Sequence, residues 1–297
     1  MTGAPNRPVA AAFWMIGSIA GFSAVAIAGR ALRHHLTTFE VMAWRSLVGL
    51  AVVCLVALAT GQARQISLRR LDLQFGRNLV HFAGQNLWLF ALPLIPLAQL
   101  FALEFSYPIL VAIAAPLVLG ERMTPVRAMS AALGFLGVMI VARPFGTGGL
   151  SIGLLAALAC AVGFAGAALF TKRLTRTVPI LSILYWLTFM QMVMGFAIAA
   201  FDGRVHAPGA AALPWVVTIG LAGLVGHYSL TKALSLAPAT VVVPIDFLRL
   251  PIIALIGWAY YAEPFDPWVI AGGAIILGAN LSNIRSDARE RQISAIT

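Results

Sequence analysis

Charged residues are scarce in this chain of 297 residues: they make up 10% of the sequence, against 61% hydrophobic residues and a mean hydropathy of +0.92. Soluble domains contain roughly 25% charged residues, so this composition excludes a water-soluble fold. The bilayer must therefore be the solvent of most side chains. The net charge of +10 is then expected to lie at the cytoplasmic membrane surface, and we expect no nucleic-acid partner.

Cysteine is almost absent, and the motifs of several enzyme classes are missing. Cys54 and Cys160 lie inside apolar runs and lack the neighbours that a metal or redox site requires. The sequence contains no GxxxxGK[ST] phosphate-binding loop and no HExxH metal-hydrolase motif. We therefore expect no enzyme activity, no catalytic residues, no cofactor, no metal and no ATP hydrolysis by this chain.

Apolar runs long enough to cross a bilayer recur along the whole chain, separated by short polar or proline-containing connections. Backbone polar groups must bond internally in hydrocarbon, and the runs lack the alternation of β-barrel strands, so each run predicts a helix. We predict an all-α polytopic membrane protein with ten transmembrane helices. They lie at about residues 9–28, 39–60, 75–95, 98–119, 125–143, 151–170, 181–201, 213–232, 240–261 and 268–284.

The positions of Lys and Arg predict how these helices are oriented. If the N-terminus is cytoplasmic, the cytoplasmic segments hold 14 of these residues and the outer loops hold 4. Basic residues are retained on the cytoplasmic side of a membrane. We therefore expect both termini to be cytoplasmic.

The second half of the chain repeats the first half at an offset of 142 residues. The stretch 98–125 returns at 240–267, with Asp246 in the place of Glu104. The same offset pairs Trp44 with Trp186, Gly84 with Gly226, Pro96 with Pro238 and Glu121 with Glu263. Matches of tryptophan, proline and acidic residues are harder to obtain by chance than matches of alanine.

Each copy contains five predicted helices, an odd number, so the second copy must enter the membrane from the opposite side. We predict a first five-helix repeat at residues 1–147, a second, inverted repeat at 148–284 and a cytoplasmic tail at 285–297. Inverted repeats are typical of secondary transporters, which bind substrate near the membrane midplane between the two halves.

The stretch Leu119–Val138, LGERMTPVRAMSAALGFLGV, resembles the end of a repeat in the EamA family of the drug/metabolite transporter superfamily. A weaker echo is Ala262–Gly278, AEPFDPWVIAGGAIILG. The resemblance covers nearly the whole chain and extends to the YddG-type bacterial amino-acid exporters. It implies ten helices, cytoplasmic termini, a bacterial cytoplasmic membrane and export of small metabolites.

Polar residues on the third predicted helix are candidates for a cavity wall. Asn78, His81, Gln85 and Trp88 share one face of that helix, and the repeat places His227 opposite Gln85 in the alignment. Polar groups that face lipid are costly, so this face should point towards protein or water. It predicts either a substrate cavity or hydrogen bonds between helices.

Two acidic residues lie deep in predicted helices and at matching repeat positions. Glu104 and Asp246 are functional candidates, because carboxylates inside a membrane are rare. Structural pairing with arginine, contact with a substrate amino group and proton binding all remain open. Asp246 is three residues from Arg249, which equally suits a substrate carboxylate, and Arg45 is a possible partner of Glu104.

We predict a central cavity that brings these groups together with nearby aromatic residues. Its predicted lining is Trp14, His81, Gln85, Trp88, Phe101, Glu104, Tyr107, Trp186, His227, Tyr228, Asp246 and Arg249. Aromatic walls with a few polar groups suit small amphipathic solutes. Glu121 and Glu263, at the membrane edges, are interpreted as end caps or gate contacts.

The leading functional hypothesis is a secondary transporter that exports small amphipathic metabolites by alternating access. Amino acids, including aromatic ones, are the expected substrates, and the lipid bilayer is the expected surrounding. The alternatives are a proton-coupled exporter of cationic drugs, a channel and an intramembrane enzyme. A monomer is favoured, because one chain already contains both halves.

Overall fold

The computed structural model describes residues 7–119, 125–143, 150–174, 177–201, 205–236, 245–246 and 248–294. All regular structure in these residues is helical, with eleven α-helices and a 3-10 turn at Ala63–Gln65. The first repeat contains α1 (Pro8–Leu32), α2 (Thr38–Ala59), α3 (Leu71–Ala91), α4 (Leu97–Glu104), α5 (Tyr107–Leu119) and α6 (Pro125–Ala142). The second contains α7 (Ile152–Leu174), α8 (Ile180–Ala199), α9 (Leu213–Leu236), α10 (Arg249–Tyr261) and α11 (Pro267–Ser294).

The helices have the character of a polytopic membrane protein. Five described segments combine the length and hydropathy needed to cross a bilayer: Val9–Leu32, Thr38–Ala59, Ile152–Thr171, Ile180–Ala199 and Leu213–Leu230. Three shorter apolar helices accompany them. Large apolar side chains such as Leu55, Phe135 and Trp258 are exposed on the outer surface. An apolar outer surface is what lipid contact requires.

The predicted fourth transmembrane helix is interrupted near its middle. The helix α4 ends at Glu104, Phe105 and Ser106 form a turn, and α5 begins at Tyr107. Pro108 has no backbone N–H, so it cannot donate to the carbonyl of Glu104 four residues earlier. The single helix expected here is therefore two helices joined inside the bundle.

The short helix α4 lies at the centre of the molecule. All of its residues except Ala98 are buried, and Leu97, Leu100, Phe101 and Leu103 have no exposed surface. It packs against α7 and α10 and contacts α6 and α11. A helix that is buried on all sides must be apolar all round, and the one acidic group of α4, Glu104, therefore needs partners inside the protein.

Helix pairs cross between the two halves of the chain. The most extensive packing joins α1 to α9 and α3 to α7, followed by α6 to α11 and α2 to α8. The offset of about 142 residues relates α1 to α7 and α3 to α9, so the α1–α9 and α3–α7 pairs are equivalent. It also relates α2 to α8 and α6 to α11, so each of these two pairs joins a helix to its own repeat counterpart. The starts of α3 and α9, of α5 and α10, and of α6 and α11 differ by the same offset.

Glycine allows the two most extensive helix pairs to approach closely. A Cβ atom added at Gly21 on α1 would lie 2.7 Å from the carbonyl oxygen of Ala222 and 2.8 Å from the backbone nitrogen of Gly226. A Cβ atom added at Gly163 on α7 would lie 2.8 Å from Cα of Gly84. Small residues serve this purpose in membrane helices, where close van der Waals contact replaces the hydrophobic effect.

We predict that Gly21→Ala and Gly163→Ala each lower the free energy of unfolding by about 1–3 kcal/mol, because the new methyl group meets backbone atoms that cannot move aside. The measurement is thermal unfolding of the purified protein in detergent. Gly223→Ala on α9 is the matched control, since its nearest neighbour would be 3.8 Å away, at Val25. Unfolding of Gly21→Ala at the wild-type temperature would contradict the close approach.

Candidate functional site

The helix breaks place polar residues at equivalent positions in the two halves. Glu104 and Tyr107 flank the break between α4 and α5. Asp246 and Arg249, at the offset of 142 residues, lie on either side of a described turn residue, Leu248, where α10 begins. The exposed peptide groups and dipole ends of broken helices are where transporters commonly bind polar groups.

The side chains at the two breaks form one buried ion-paired group. The Nη2 atom of Arg249 lies 3.3 Å from Oε1 of Glu104 and 3.4 Å from Oδ2 of Asp246. The indole Nε1 of Trp88, on α3, donates to Oε2 of Glu104 at 2.8 Å. All four side chains are buried. We call Trp88, Glu104, Asp246 and Arg249 the acid–arginine cluster.

Aromatic rings surround the guanidinium of this cluster. Its central carbon lies 5.0 Å from the ring centroid of Phe22, 5.2 Å from that of Phe101 and 5.0 Å from that of Phe105. Cation–π attraction is stronger away from water, so these rings help to offset the cost of burying Arg249. Tyr107, the first residue of α5, lies three residues after Glu104 at the same helix break.

The acid–arginine cluster is not fully satisfied. One guanidinium faces two carboxylates, so the three ionisable groups carry a formal charge of −1 when all are ionised. In the described part of the chain, Oδ1 of Asp246 and Nε of Arg249 are buried and make no hydrogen bond. Incomplete pairing of a buried charged group is costly, and it is tolerated mainly where a site has a task to perform.

A second polar group lies between α2, α3, α8 and α9. Nη2 of Arg45 lies 3.2 Å from Oε1 of Gln191, and Nε2 of Gln191 lies 2.7 Å from Nδ1 of His81. The rings of His81 and His227 have centroids 6.1 Å apart. We call Arg45, His81, Gln191 and His227 the histidine–arginine cluster. Phe22 contacts the ring of His227 at 5.0 Å and so adjoins both clusters.

Two arginines near these histidines have no acidic partner. Arg77 bonds to Thr171 and Asn78, at 3.2 Å and 3.0 Å, and Arg45 bonds to Gln191. Among the residues that the structure describes, no carboxylate lies within ion-pair distance of either arginine. Among the described residues, the positive charge of these two arginines is therefore not balanced by an ion pair.

The structure brings most of the predicted cavity residues together but separates three of them. The acid–arginine cluster and its immediate surroundings contain Trp88, Phe101, Glu104, Tyr107, Asp246 and Arg249, and the histidine–arginine cluster contains His81 and His227. Gln85 is buried on the same face of α3. Trp14 and Tyr228 form an edge-to-face pair at 5.7 Å, and Trp186 donates to the carbonyl of Ser67 beside the α2–α3 connection.

The pairing of Glu104 with Arg45, which the sequence leaves open, is not found in the structure, and three residues of the site are not evident from the sequence. Glu104 pairs with Arg249 rather than Arg45, because the second helix break brings Arg249 to it. Gln191, Phe22 and Arg30 were not singled out from the sequence. A lone glutamine in the apolar run LTFMQMVMG is a detectable signal for Gln191. Arg30 was assigned only to an outer loop.

Arg30 closes one end of the bundle, the end at which α1 finishes. Its guanidinium pairs with Glu263 and donates to the carbonyls of Leu92, at 2.6 Å, and Ile95, at 2.9 Å. Glu263 also accepts the backbone N–H of Leu97 at 2.8 Å. If Glu263 is a gate contact, its partners are therefore Arg30 and the backbone of Leu97. Glu121, interpreted in the same way, lies outside the described residues.

One further ion pair and one carboxylate–histidine hydrogen bond lie at the same end, which we call the Arg30 end. Arg143 pairs with Asp266. Glu40 completes a capping box with Thr37 at the start of α2, and its Oε1 lies 2.8 Å from Nδ1 of His206. Together with Arg30 and Glu263, these contacts tie α1, α2, α4 and α6 to the segments that precede α9 and α11.

Both halves of the chain are similar to known membrane transporters. Residues 9–143 and 151–283 each match the EamA-like transporter family, so the family covers nearly the whole chain in two copies. The chain is 30% identical to a riboflavin transporter of Rhizobium johnstonii over 297 residues, covering 97% of this chain and 95% of that protein. It is 29% identical over 280 residues to a riboflavin transporter of Brucella anthropi, covering 92% and 98%.

More distant relatives and a solved structure agree with this assignment. An S-adenosylmethionine uptake transporter of Rickettsia felis is 24% identical over 276 residues, covering 93% of this chain and 92% of that protein. A solved crystal structure superposes with a TM-score of 0.64 at 19% identity, covering 93% of this chain and 98% of that one. That structure supports the fold alone.

We predict that Arg249→Met destabilises the protein by about 3–5 kcal/mol, because Glu104 and Asp246 would remain buried without a cation. The triple variant with Glu104→Gln and Asp246→Asn should recover much of this loss. Thermal unfolding in detergent is the measurement, and Arg70→Ala, which removes an exposed arginine paired with Asp72, is the control. A loss in Arg249→Met no larger than in the control would contradict the cluster.

Proposed function

The chain belongs to the EamA-like transporter family, and we propose that it is a secondary transporter that carries a small organic metabolite across the bacterial cytoplasmic membrane without hydrolysing ATP. The observation that carries this proposal is the acid–arginine cluster at the two helix breaks. A buried, partly unsatisfied ion group in the membrane interior has no evident purpose in a purely structural bundle.

We propose that ten transmembrane segments form two inverted repeats, at residues 1–147 and 148–284. The described helix starts that recur at 142 residues support this arrangement, as does the exchange of the α1–α9 pair with the α3–α7 pair. Packing that is equivalent after exchange of the halves is the arrangement expected of a two-fold axis. Such a protein has two nearly equivalent arrangements, one open to each side of the membrane.

Alternating access assigns a role to the Arg30 end. With both termini in the cytoplasm, as the Lys and Arg distribution favours, this end faces the outside. The described ion pairs, above all Arg30 with Glu263, then hold the outer side closed. Opening towards the outside requires these pairs to separate, while the glycine-lined contacts of α1 with α9 and α3 with α7 permit the helices to shift against one another.

We propose that the substrate is a small amphipathic metabolite that contains an aromatic or heteroaromatic ring. The two riboflavin transporters among the relatives support a planar ring, and the rings of Phe22, Phe101 and Phe105 beside the acid–arginine cluster suit one. Amino acids, expected from the resemblance to YddG-type exporters, are the second substrate class. No relative described above supports them, and that subgroup stays a prediction.

Export also stays a prediction, since the relatives include an uptake transporter. Family membership therefore fixes the kind of protein but not the direction of flux. The direction of net flux through a secondary transporter depends on the substrate gradient together with the gradient of any coupled ion. Measurements on oriented vesicles, with the gradient applied from either side, separate the two directions.

A second candidate function, proton-coupled transport, is favoured by the charge of the acid–arginine cluster. Protonation of either carboxylate would neutralise the cluster's formal charge of −1, and Oδ1 of Asp246 is buried without a hydrogen bond in the described part of the chain. Glu104 is held by both Arg249 and Trp88. A proton bound at either carboxylate would weaken that group's attraction to Arg249 and so free the guanidinium for an anionic group of the substrate.

We predict that purified protein in liposomes transports at least one of riboflavin, S-adenosylmethionine and aromatic amino acids with saturable kinetics and without nucleotide. The measurement is uptake of labelled compound above that of empty liposomes. The exposed variant Arg70→Ala should transport normally. Flux that does not saturate indicates a channel, and the absence of flux for a broad metabolite panel rejects transport.

For proton coupling, we predict that Asp246→Asn lowers pH-gradient-driven flux at least tenfold while exchange of substrate at equal pH continues. Glu104→Gln keeps a hydrogen-bond acceptor for Trp88 and should have the smaller effect on the gradient-driven flux. The measurement is counterflow and gradient-driven uptake in the same liposomes. Proton coupling at this site is rejected if both variants respond to the gradient as the wild type does.

A further inference from the structure

We propose that Arg45 binds an anionic group of the transported molecule, a carboxylate or a phosphate, in the groove between α2, α8 and α9. This inference rests on the proposed function, because it takes the ligand to be the transported molecule. It adds a charge requirement to the substrate: the ring-containing metabolite must carry an acidic group. Arg45 and its neighbours in this groove are separate from the acid–arginine cluster, which lies at the two helix breaks.

The groove combines polar and apolar side chains around a cavity of about 30 Å³, which has room for a small charged group rather than for a whole metabolite. Arg45, Gln191 and His227 supply polar groups, and Leu187, Ile219 and Leu224 supply apolar walls. Ligand sites are typically apolar surfaces with a few polar groups that fix orientation. Gln191 is almost fully buried, and its amide is held by His81 at 2.7 Å, so its oxygen is aimed at Arg45.

Arg45 lies inside the membrane-spanning part of α2, and no described residue provides it with a counter-ion. It is the eighth residue of the 22-residue helix, roughly 10 Å along the axis from its start. A guanidinium has five N–H donors, yet Arg45 makes one hydrogen bond, at 3.2 Å to the neutral amide oxygen of Gln191. Its remaining donors make no bond within the described part of the chain.

The other buried arginines show what this one lacks. Arg249 has two carboxylate partners, and Arg30 has Glu263 together with two backbone carbonyls. Arg77, for which the described residues likewise offer no acid, lies one helical turn before His81 on α3 and bonds to Thr171 and Asn78. A half-buried cation in a positively charged region is costly, and an anion that enters the groove relieves that cost.

Guanidinium chemistry determines which anions fit. Its planar fork pairs with the two oxygens of a carboxylate or phosphate through parallel charge-assisted hydrogen bonds. A zwitterionic or anionic aromatic metabolite satisfies this requirement, whereas a neutral ring or a cation does not. The head group of an anionic lipid carries the same chemistry, so the experiment must separate a lipid from a soluble anion.

The test compares matched ligand pairs that differ in charge. Binding of N-acetylphenylalanine and its amide, and of riboflavin 5′-phosphate and riboflavin, is measured by intrinsic fluorescence on full-length protein in nanodiscs of zwitterionic lipid. We expect the anionic member of at least one pair to bind at least tenfold more tightly than the neutral member. Arg45→Gln should abolish this difference, Arg45→Lys should retain part of it, and Arg64→Gln, which removes an exposed charge, should leave it unchanged.

Gln191→Glu provides an independent variant that does not remove the arginine. A carboxylate at position 191 supplies Arg45 with an internal partner, so this variant should unfold at a temperature no lower than the wild type and lose the preference for anions. Equal binding within every pair, or an equal loss of both members in Arg45→Gln, overturns the proposal. The second result would mean that Arg45 only supports the fold.

Nanodiscs that contain phosphatidylglycerol test the lipid source. If the head group of this lipid occupies the groove, the lipid will suppress the preference for anionic ligands. Native mass spectrometry will then show the lipid retained by the wild type but not by Arg45→Gln. These two results together would overturn binding of the soluble anion. If the protein transports compounds of the panel but shows no preference for anionic ligands, only this inference is contradicted. Failure of the whole transport panel sinks the proposed function.

Discussion

The ion pairing of Arg249 with Glu104 and Asp246 is the interaction on which the rest of the structure depends. A carboxylate that is buried in a membrane protein must be paired or protonated, and each half of the chain contributes one at its helix break. Arg249 comes from the second half and reaches the acid of the first, so the pairing joins the halves at the centre of the bundle. Trp88 on α3 donates to Glu104, and Phe101 on α4 lies against the guanidinium of Arg249; both side chains are buried around the ion pairs.

Close helix contacts make this central group possible without rigidly locking the halves. Gly21 with Gly226 and Gly163 with Gly84 bring backbones together in the two most extensive helix pairs. Contacts of this kind depend on shape rather than on side-chain hydrogen bonds, so they permit small shifts of one helix against another. At the Arg30 end the contacts are charged, and charged contacts favour discrete arrangements. The combination suits a bundle with two stable states.

Hydropathy predicted an all-helical membrane protein, and five described segments have the length and hydropathy to cross a bilayer. The offset of 142 residues paired Glu104 with Asp246, because a repeat can be read along the sequence. Hydropathy does not show the break at Phe105 and Ser106, because the run 98–119 is apolar on both sides of it; Pro108 is the local residue that marks a weak point in the helix. The partner of Glu104 could not be read from spacing, because Arg249 is 145 residues away. Trp186 was grouped with the cavity as an aromatic residue expected near its polar groups, whereas the structure shows its indole donating to the carbonyl of Ser67, a tertiary contact that spacing does not reveal.

The inversion of the two halves is tested most directly by the side of the membrane on which equivalent loops lie. Gln65 and Ala207 are both exposed and differ by the repeat offset, so each can be replaced by cysteine after Cys54 and Cys160 have been changed to alanine. A membrane-impermeant maleimide applied to intact cells should label position 207 and should label position 65 only after permeabilisation. Labelling of both positions from the same side would contradict the inverted arrangement and the two-state transporter built on it.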